Sequence, residues 1–204
     1  MRILIAGASS ALGRATASAA RAAGHHVIAV GSSAERLEPV DADERVVCDL
    51  TSFSAVSSLA ASVGPVDALV HLVGGWRGGG GLAGQSDEDW AWLEQRVVGT
   101  LRNTTRAFEA ALGASSAGRV VIISTTGLDR PTAGNASYVS LKAAAETWLA
   151  AVSHALRATP ATTHVIRVKA LVSAADRSAE PDRTFDGYSD VDDVASEIVG
   201  LVGS

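Results

Sequence analysis

The residues best suited to chemistry are Tyr138 and Lys142, which stand four positions apart in a segment of helical character. A spacing of four places both side chains on one face of a helix. A phenol with a pKa of about 10 is a weak acid–base group at neutral pH, and a neighbouring ammonium group is expected to lower that pKa. The pair therefore predicts a tyrosine that exchanges a proton with a substrate, although such a pair can also be purely structural.

Three consecutive hydroxyl side chains, Ser124, Thr125 and Thr126, follow an apolar run at residues 120–123. In a parallel sheet, the end of this strand and the start of the helix that carries Tyr138 are expected to meet at the carboxyl edge. A hydroxyl at that edge could hold a carbonyl oxygen while the tyrosine delivers a proton.

A glycine-containing turn, GASSALGR at residues 7–14, joins the first apolar run to the first helical segment. Glycine lets the backbone approach a pyrophosphate closely, and the first N–H groups and the dipole of a helix favour an anion. The spacing is not G-x-G-x-x-G, and an ordinary tight turn is the alternative. The candidate dinucleotide contacts in this turn are Gly7, Ser9, Ser10, Leu12, Gly13 and Arg14.

The end of the second predicted strand bears on the choice between NADP and NAD. An acidic residue there pairs with the ribose hydroxyls and repels a 2′-phosphate, but residues 31–33 read Gly-Ser-Ser. Ser32, Ser33 and the nearby Arg14 could bind that phosphate, so NADP(H) is favoured over NAD(H), although both serines could merely begin a turn. Asp49, just after the third strand, could bind an adenine amino group or cap the next helix.

Short apolar runs alternate along the chain with segments of helical periodicity. This alternation predicts an α/β fold in which a doubly wound parallel sheet of about six strands carries helices on both faces, in a single domain spanning residues 1–204. The predicted strands are residues 3–6, 27–30, 45–48, 68–73, 119–124 and 164–168. The predicted helices are residues 11–23, 54–63, 86–112, 137–156 and one from 189 to near the C-terminus, whereas residues 74–81 and 170–188 are expected to be irregular.

The composition argues against several classes of protein. Among 204 residues, 17 basic and 22 acidic side chains give a net charge of −5, with no basic stripe for nucleic acid or an anionic membrane surface. No apolar stretch approaches the roughly 18 residues of a membrane span. The single cysteine, Cys48, excludes an internal disulfide framework, and the five histidines have no spacing that suggests a metal site. We expect a cytoplasmic protein without nucleic-acid or membrane partners.

Taken in order, the motifs resemble those of the short-chain dehydrogenase/reductase family. The resemblance rests on residues 6–13, the turn at residues 48–50, Gly74 after the fourth strand, residues 123–125, and Tyr138 with Lys142. It implies a Rossmann fold, a nicotinamide cofactor and Tyr138 as the acid/base.

The same resemblance implies further roles for individual residues. Lys142 would also hold the nicotinamide ribose, and Leu50, Val73, Gly74 and Tyr138 itself join the cofactor contacts. Thr125, thirteen residues before Tyr138, stands where the family places its catalytic serine, with Ser124 as the fallback.

The sequence also departs from the family pattern. Arg96 stands three residues before Gly99, where the family usually has an asparagine that connects the lysine to solvent. The family's usual Pro-Gly after the sixth strand is missing, and so is its seventh strand. Because the missing strand removes one common tetramer contact, the long helices at residues 86–112 and 137–156 are expected to pair in a homodimer. The glycine-rich residues 74–79 resemble the dihydropteridine reductase branch, although that branch favours NADH.

Two loops are expected above the pocket, and they contain a group of aromatic and basic side chains. Alternatively, these side chains are scattered over the surface. They are Trp76, Arg77, Arg177, Arg183 and Tyr188.

These observations favour an NADP-preferring oxidoreductase that acts on a small carbonyl or imine substrate, with hydride transfer to or from the nicotinamide. Two alternatives remain open. One is a dinucleotide-binding regulator or sensor with little turnover, which Arg96 and the missing strand suggest. The other is a non-redox lyase or epimerase, because a fold does not fix its chemistry.

Overall fold

The main sheet of the protein is built from six parallel strands. The computed structural model describes residues 1–203 and orders the strands β3-β2-β1-β4-β5-β6. Their bounds are Arg2–Ala6 (β1), His26–Gly31 (β2), Glu44–Val47 (β3), Ala68–His71 (β4), Arg119–Thr125 (β5) and Thr162–Val168 (β6). The strand order reverses between β1 and β4, so the crevice beyond their carboxyl ends is the place where such sheets bind ligands. The doubly wound prediction is confirmed.

The helices follow the strands in alternation. They are Ala11–Ala22 (α1), Ala34–Leu37 (α2), Phe53–Val63 (α3), Asp87–Leu93 (α4), Thr100–Ala114 (α5), Ala136–Leu156 (α6), Ala174–Ala179 (α7) and Val191–Gly203 (α8). A π-helical segment, Glu94–Gly99, joins α4 to α5. A second, parallel sheet pairs Leu171–Val172 (β7) with Ser189–Asp190 (β8).

Two hydrophobic cores form because successive side chains of a strand point to opposite faces of the sheet. Ile3 and Ile5 of β1 belong to the core under α1 and α8, whereas Leu4 and Ala6 belong to the core under α3, α5 and α6. The central strands are apolar on both faces, as expected for a parallel sheet between two helical layers. This double burial fixes the strand ends that carry the candidate site.

Several predicted elements need correction. The predicted helix at residues 86–112 is interrupted by the π-helical segment, and β4 ends at His71 rather than at residue 73. The segment expected to be irregular, residues 170–188, contains β7 and α7, and β8 precedes the last helix. Two-residue strands are held by their pairing and carry too few residues to show a periodicity. A recognisable sign of α7 was present, however, because Ser173 and Asp176 form a reciprocal capping box.

Across residues 1–203, none of the helices combines the length and the apolar character that a membrane crossing requires.

Candidate functional site

Two adjoining cavities open at the carboxyl edge of the main sheet. The larger has a volume of about 580 Å³ and the smaller about 310 Å³. Both are lined by Ser10 at the start of α1 and by residues 72–74 after β4, so they form one cleft across the point where the strand order reverses. The larger cavity holds the predicted catalytic residues, and the smaller holds most of the predicted cofactor contacts.

The glycine turn forms the floor between the two cavities. Gly7 has a φ of +84°, and a Cβ atom there would lie 3.0 Å from the Leu72 carbonyl carbon. A Cβ atom on Gly13 would lie 2.5 Å from the Gly7 carbonyl oxygen, so only glycine lets α1 approach the turn this closely. The Ser10 hydroxyl accepts a hydrogen bond of 3.0 Å from the Gly13 N–H. The other N–H groups at the start of a helix have no acceptor within the helix and can bind an anion. The turn therefore fits the diphosphate of a dinucleotide.

The smaller cavity is lined by Ser32 just after β2, by Arg36 in α2 and by Asp49 just after β3. The Arg36 guanidinium lies 3.3 Å from the Ser32 hydroxyl oxygen, to which it donates a hydrogen bond. Sequence reasoning missed Arg36, because α2 is only one turn long and its register could not be read from periodicity. Arg36 and Ser32 thus place a cation and a hydroxyl after β2, at the point where an acidic residue would bind the ribose hydroxyls of NAD.

Asp49 stabilises its own turn and does not cap the following helix. Its carboxylate accepts hydrogen bonds from the Thr51 N–H at 2.9 Å and from the Thr51 hydroxyl at 2.7 Å, which lower the pKa of Asp49. Helix α3 is capped instead by Ser52. The alternative that Asp49 caps the helix is therefore wrong, and its position in the cavity wall leaves the adenine contact as a prediction.

Tyr138 and Lys142 both line the larger cavity, on the first turns of α6. The Lys142 ammonium donates a hydrogen bond of 2.8 Å to the Ile123 carbonyl oxygen and lies 5.8 Å from the centre of the Tyr138 ring. Burial lowers the pKa of Lys142 to about 8. Burial also raises the pKa of Tyr138, so the expectation that the neighbouring ammonium would lower this pKa is wrong.

The two candidate hydroxyls, Ser124 and Thr125, are buried at the end of β5 and also line the larger cavity. The Thr125 oxygen accepts a hydrogen bond of 3.0 Å from the Gly127 N–H, which leaves its own proton available for a ligand. The Ser124 oxygen, in contrast, is completely buried and makes no hydrogen bond of regular geometry within residues 1–203. It nevertheless lies near the Glu146 carboxylate. The pKa of Glu146 is lowered, mainly by hydrogen bonds from Arg167 and to a smaller extent by Ser124. This geometry favours Thr125 as the donor to a substrate oxygen.

A buried histidine borders the same cavity. His71 at the end of β4 contacts the hydroxyls of Thr100 and Thr104 through its two ring nitrogens, at 3.1 and 3.2 Å. Burial, reinforced by repulsion from Lys142, lowers the pKa of His71 to about 3, so the imidazole is neutral. The prediction of a core histidine is confirmed by its burial, but its place beside Lys142 was not foreseen.

The glycine-rich loop after β4 is tied to the start of α6. The Gln85 amide donates hydrogen bonds to the carbonyl oxygens of Gly79 and Gly81, at 3.0 and 3.2 Å, and accepts one of 3.1 Å from the Ser137 N–H. Trp76 in this loop is 61% exposed and lines the larger cavity. The loop therefore forms one wall of the cavity, next to Tyr138.

Most of the residues expected above the pocket lie elsewhere. Arg77 pairs with Asp89 at 2.9 Å. Arg177, Arg183 and Tyr188 do not line the cavity but belong to a separate group around Phe185, whose ring meets the Tyr188 ring edge-on at 5.5 Å between centres. In their place, Lys169 and Asp176 line the cavity from the segment that follows β6.

Most of the predicted cofactor contacts line the cleft: Gly7, Ser9, Ser10, Leu12, Ser32, Asp49, Leu50, Val73 and Gly74. Three of them do not, namely Gly13, Arg14 and Ser33. Gly13 supports the turn from behind, Arg14 donates a hydrogen bond of 2.5 Å to the Ser9 carbonyl oxygen, and Ser33 caps α2. Within residues 1–203, no three His, Cys, Asp or Glu side chains gather closely enough to hold a metal ion.

Comparison with known proteins gives consistent results. A sequence model described as short chain dehydrogenase matches residues 1–183. An L-xylulose reductase from Mesocricetus auratus is 39% identical over 74 residues, which are 34% of this chain and 30% of that protein. A 2,3-dihydro-2,3-dihydroxybenzoate dehydrogenase from Bacillus subtilis (strain 168) is 29% identical over 154 residues, 69% of this chain and 58% of that protein. The matched parts thus span less than two thirds of either relative.

The fold has close counterparts among solved structures. The NADPH-bound structure of a short-chain oxidoreductase from Pseudomonas aeruginosa PAO1, which contains an atypical catalytic center, superposes with a TM-score of 0.88. The superposition covers 98% of this chain and 89% of that one at 19% sequence identity, so it shows a shared fold alone. The resemblance to the dihydropteridine reductase branch is not confirmed by these matches.

Proposed function

Because the chain belongs to the short-chain dehydrogenase family, we propose that it is an NADP(H)-preferring oxidoreductase that acts on a small carbonyl or imine substrate. The observation that carries the proposal is the shared cleft: Tyr138, Lys142 and Thr125 line one part, and the glycine turn separates it from the part lined by Ser32 and Arg36. A bound nicotinamide would supply or accept the hydride.

The protein's own residues would manage the substrate oxygen or nitrogen and its proton. Tyr138 donates the proton during reduction, and Thr125 donates a hydrogen bond to the same atom because its oxygen already has Gly127 as a donor. The Lys142 ammonium lies close enough to stabilise a phenolate that forms after proton transfer. Burial that raises the pKa of Tyr138 keeps the phenol protonated until the substrate is bound. The arrangement is that of a general acid–base site.

The preference for NADP(H) is supported by charge at the end of β2. No acidic residue stands at residues 31–33, and Arg36 lies against Ser32 in the cavity wall. A guanidinium and a hydroxyl suit a phosphate, whereas an acid would suit free ribose hydroxyls. The NADPH-bound protein of the same fold is consistent with this preference.

Calorimetric titration with NADPH and NADH tests the cofactor assignment. We expect tighter binding of NADPH, and we expect Arg36→Gln to weaken NADPH binding about tenfold while leaving NADH unchanged, since one charge-assisted contact is lost. Arg157→Gln serves as the comparison, because Arg157 is an exposed arginine that bonds to the His154 carbonyl oxygen and lines neither cavity. Tighter binding of NADH by the native protein would contradict the preference.

A screen of NADPH oxidation against carbonyl compounds, quinones, imines and pterins tests the activity. Turnover of at least one class is expected. Binding of NADPH without any turnover would favour the sensor alternative, and turnover of a substrate without change in nicotinamide absorbance would favour the lyase or epimerase.

We also propose that the protein is a cytoplasmic homodimer of single-domain subunits, paired through α5 and α6. These two helices border an open groove lined by residues that include Thr105, Arg106 and Trp148. Light scattering is expected to give the mass of a dimer, and a stable monomer or tetramer would contradict the assignment.

A further inference from the structure

Arg96 extends from the π-helical segment to the wall of the smaller cavity, where Ser9 and Gly74 also lie. Its backbone is held in place there: the Thr100 hydroxyl donates a hydrogen bond of 2.5 Å to the Arg96 carbonyl oxygen, and the same hydroxyl contacts His71 at 3.1 Å. A π-helical turn contains one more residue than an α-helical turn and is common at functional sites. The segment therefore has a fixed geometry that presents one cation to the cleft.

The Arg96 side chain rests on a fixed aromatic ring. Its guanidinium carbon lies 4.6 Å from the centre of the Trp92 ring, within the range of a cation–π contact. The Trp92 ring is itself held against Gly75, where an added Cβ atom would lie only 2.4 Å from the ring. Because Gly75 belongs to the segment that follows β4, this ring places the Arg96 guanidinium near that segment.

Arg96 differs from the neighbouring arginine in having no counter-ion. Arg77 also lies over Trp92, at 4.3 Å, but it is paired with Asp89 at 2.9 Å and approaches Glu88 at 3.8 Å. No carboxylate among residues 1–203 lies within 4.0 Å of the Arg96 guanidinium. The Arg96 side chain is exposed at the wall of the smaller cavity, so its charge, which no carboxylate of these residues neutralises, is available to an anionic ligand.

We propose that Arg96 is a dinucleotide-binding residue that contacts the diphosphate of the cofactor. The inference rests on the proposed function, since it assumes that the cleft binds a dinucleotide. The diphosphate is assigned to Arg96 because Arg96 lies near Gly74, where the two cavities meet. The 2′-phosphate is assigned to Arg36 because Arg36 bonds to Ser32, just after β2. Arg96 thus adds, from the π-helical segment, a cation to the anion site that begins at the turn containing Ser9 and Ser10.

Calorimetric titration of the full chain separates these assignments. Arg96→Gln is expected to weaken NADPH and NADH about equally, by about tenfold, because both carry the diphosphate. Arg96→Lys keeps the charge and is expected to lose less. Arg102→Gln is the matched control: like Arg96, Arg102 is an exposed arginine over a tryptophan ring, 5.9 Å from the Trp148 ring centre, but it lines neither part of the cleft, so its loss should change neither affinity.

The salt dependence of NADH binding gives a second measurement. NADH affinity of the native protein should fall as salt is raised, and this dependence should be smaller in Arg96→Gln because one phosphate contact is missing. Equal affinities of Arg96→Gln and the native protein would overturn the inference while leaving the proposed function intact. Weakening of NADPH alone would place Arg96 at the 2′-phosphate and would also overturn it. Failure of the native protein to bind either dinucleotide would overturn the proposed function and the inference together.

Discussion

Replacing Lys142 by methionine should change the pH dependence of folding in a defined way. The native Lys142 side chain is 8% exposed, and burial lowers its pKa from 10.5 to about 8. Below pH 8 both the folded and the unfolded protein carry the ammonium, so the folded state bears the full cost of burying it. Between pH 8 and 10.5 the folded state has lost this proton while the unfolded state keeps it. The stability of the native protein therefore rises over this interval.

The magnitude follows from the width of the pH interval. From pH 7 to pH 9.5 the pH passes about 1.5 units beyond the folded pKa of about 8, and each unit corresponds to about 1.4 kcal/mol, giving about 2 kcal/mol. Lys142→Met has no proton to lose and fills a similar volume. We expect it to be more stable than the native protein at pH 7, with an advantage that shrinks by about 2 kcal/mol at pH 9.5.

Urea unfolding of both proteins at the two pH values, without cofactor, measures this change. Comparing the two proteins matters because burial raises the pKa values of Cys48 and Tyr138, and both groups add their own pH dependence at alkaline pH. The contribution of Cys48 is the same in both proteins and cancels in the difference, and that of Tyr138 stays small up to pH 9.5 because burial raises its pKa above the usual value of 10.0. A difference in unfolding free energy that is the same at pH 7 and pH 9.5 would show that Lys142 does not lose its proton in the folded protein over this interval.

Two further predictions concern the turn and the catalytic hydroxyl. Gly13→Ala should weaken NADPH binding more than tenfold in calorimetry, because its Cβ atom would lie 2.5 Å from the Gly7 oxygen and displace the turn. Gly200→Ala in α8, where a Cβ atom meets nothing within 4 Å, should leave binding unchanged. With a substrate found by screening, Thr125→Ala should lower turnover about 10²-fold, whereas Thr125→Ser should retain most of it because the hydroxyl remains. Retained turnover in Thr125→Ala, with loss in Ser124→Ala, would show that the neighbouring hydroxyl serves instead.

The sheet and the placement of Tyr138 and Lys142 could be predicted because they depend on local pattern. Fully apolar runs mark strands buried on both faces, and a spacing of four on α6 needs no tertiary information to place two side chains together. The hydroxyls that follow the apolar run before Ser124 could be assigned to the site for the same reason, since a strand that ends there must deliver them to the carboxyl edge.

The remaining features depend on residues far apart in the chain. The π-helical segment is accompanied by contacts between Thr100, the Arg96 carbonyl and His71, and the last of these lies 29 residues before Thr100. The sign of the pKa shift of Tyr138 depends on how completely the folded chain buries the phenol, which the spacing to Lys142 does not reveal. The loop that follows β6 was predicted to place Tyr188 above the pocket. Instead, its aromatic and basic side chains contact one another beside Phe185.

The most direct test of the central claim is the turnover of Tyr138→Phe. This substitution removes one oxygen atom from a ring that lines the larger cavity, so folding and NADPH affinity should remain within about twofold of the native values. With a carbonyl substrate identified by screening, the rate of NADPH oxidation should fall by about 10²- to 10⁴-fold, the usual contribution of general acid–base catalysis. Unchanged turnover in Tyr138→Phe would contradict the assignment of this tyrosine as the proton donor.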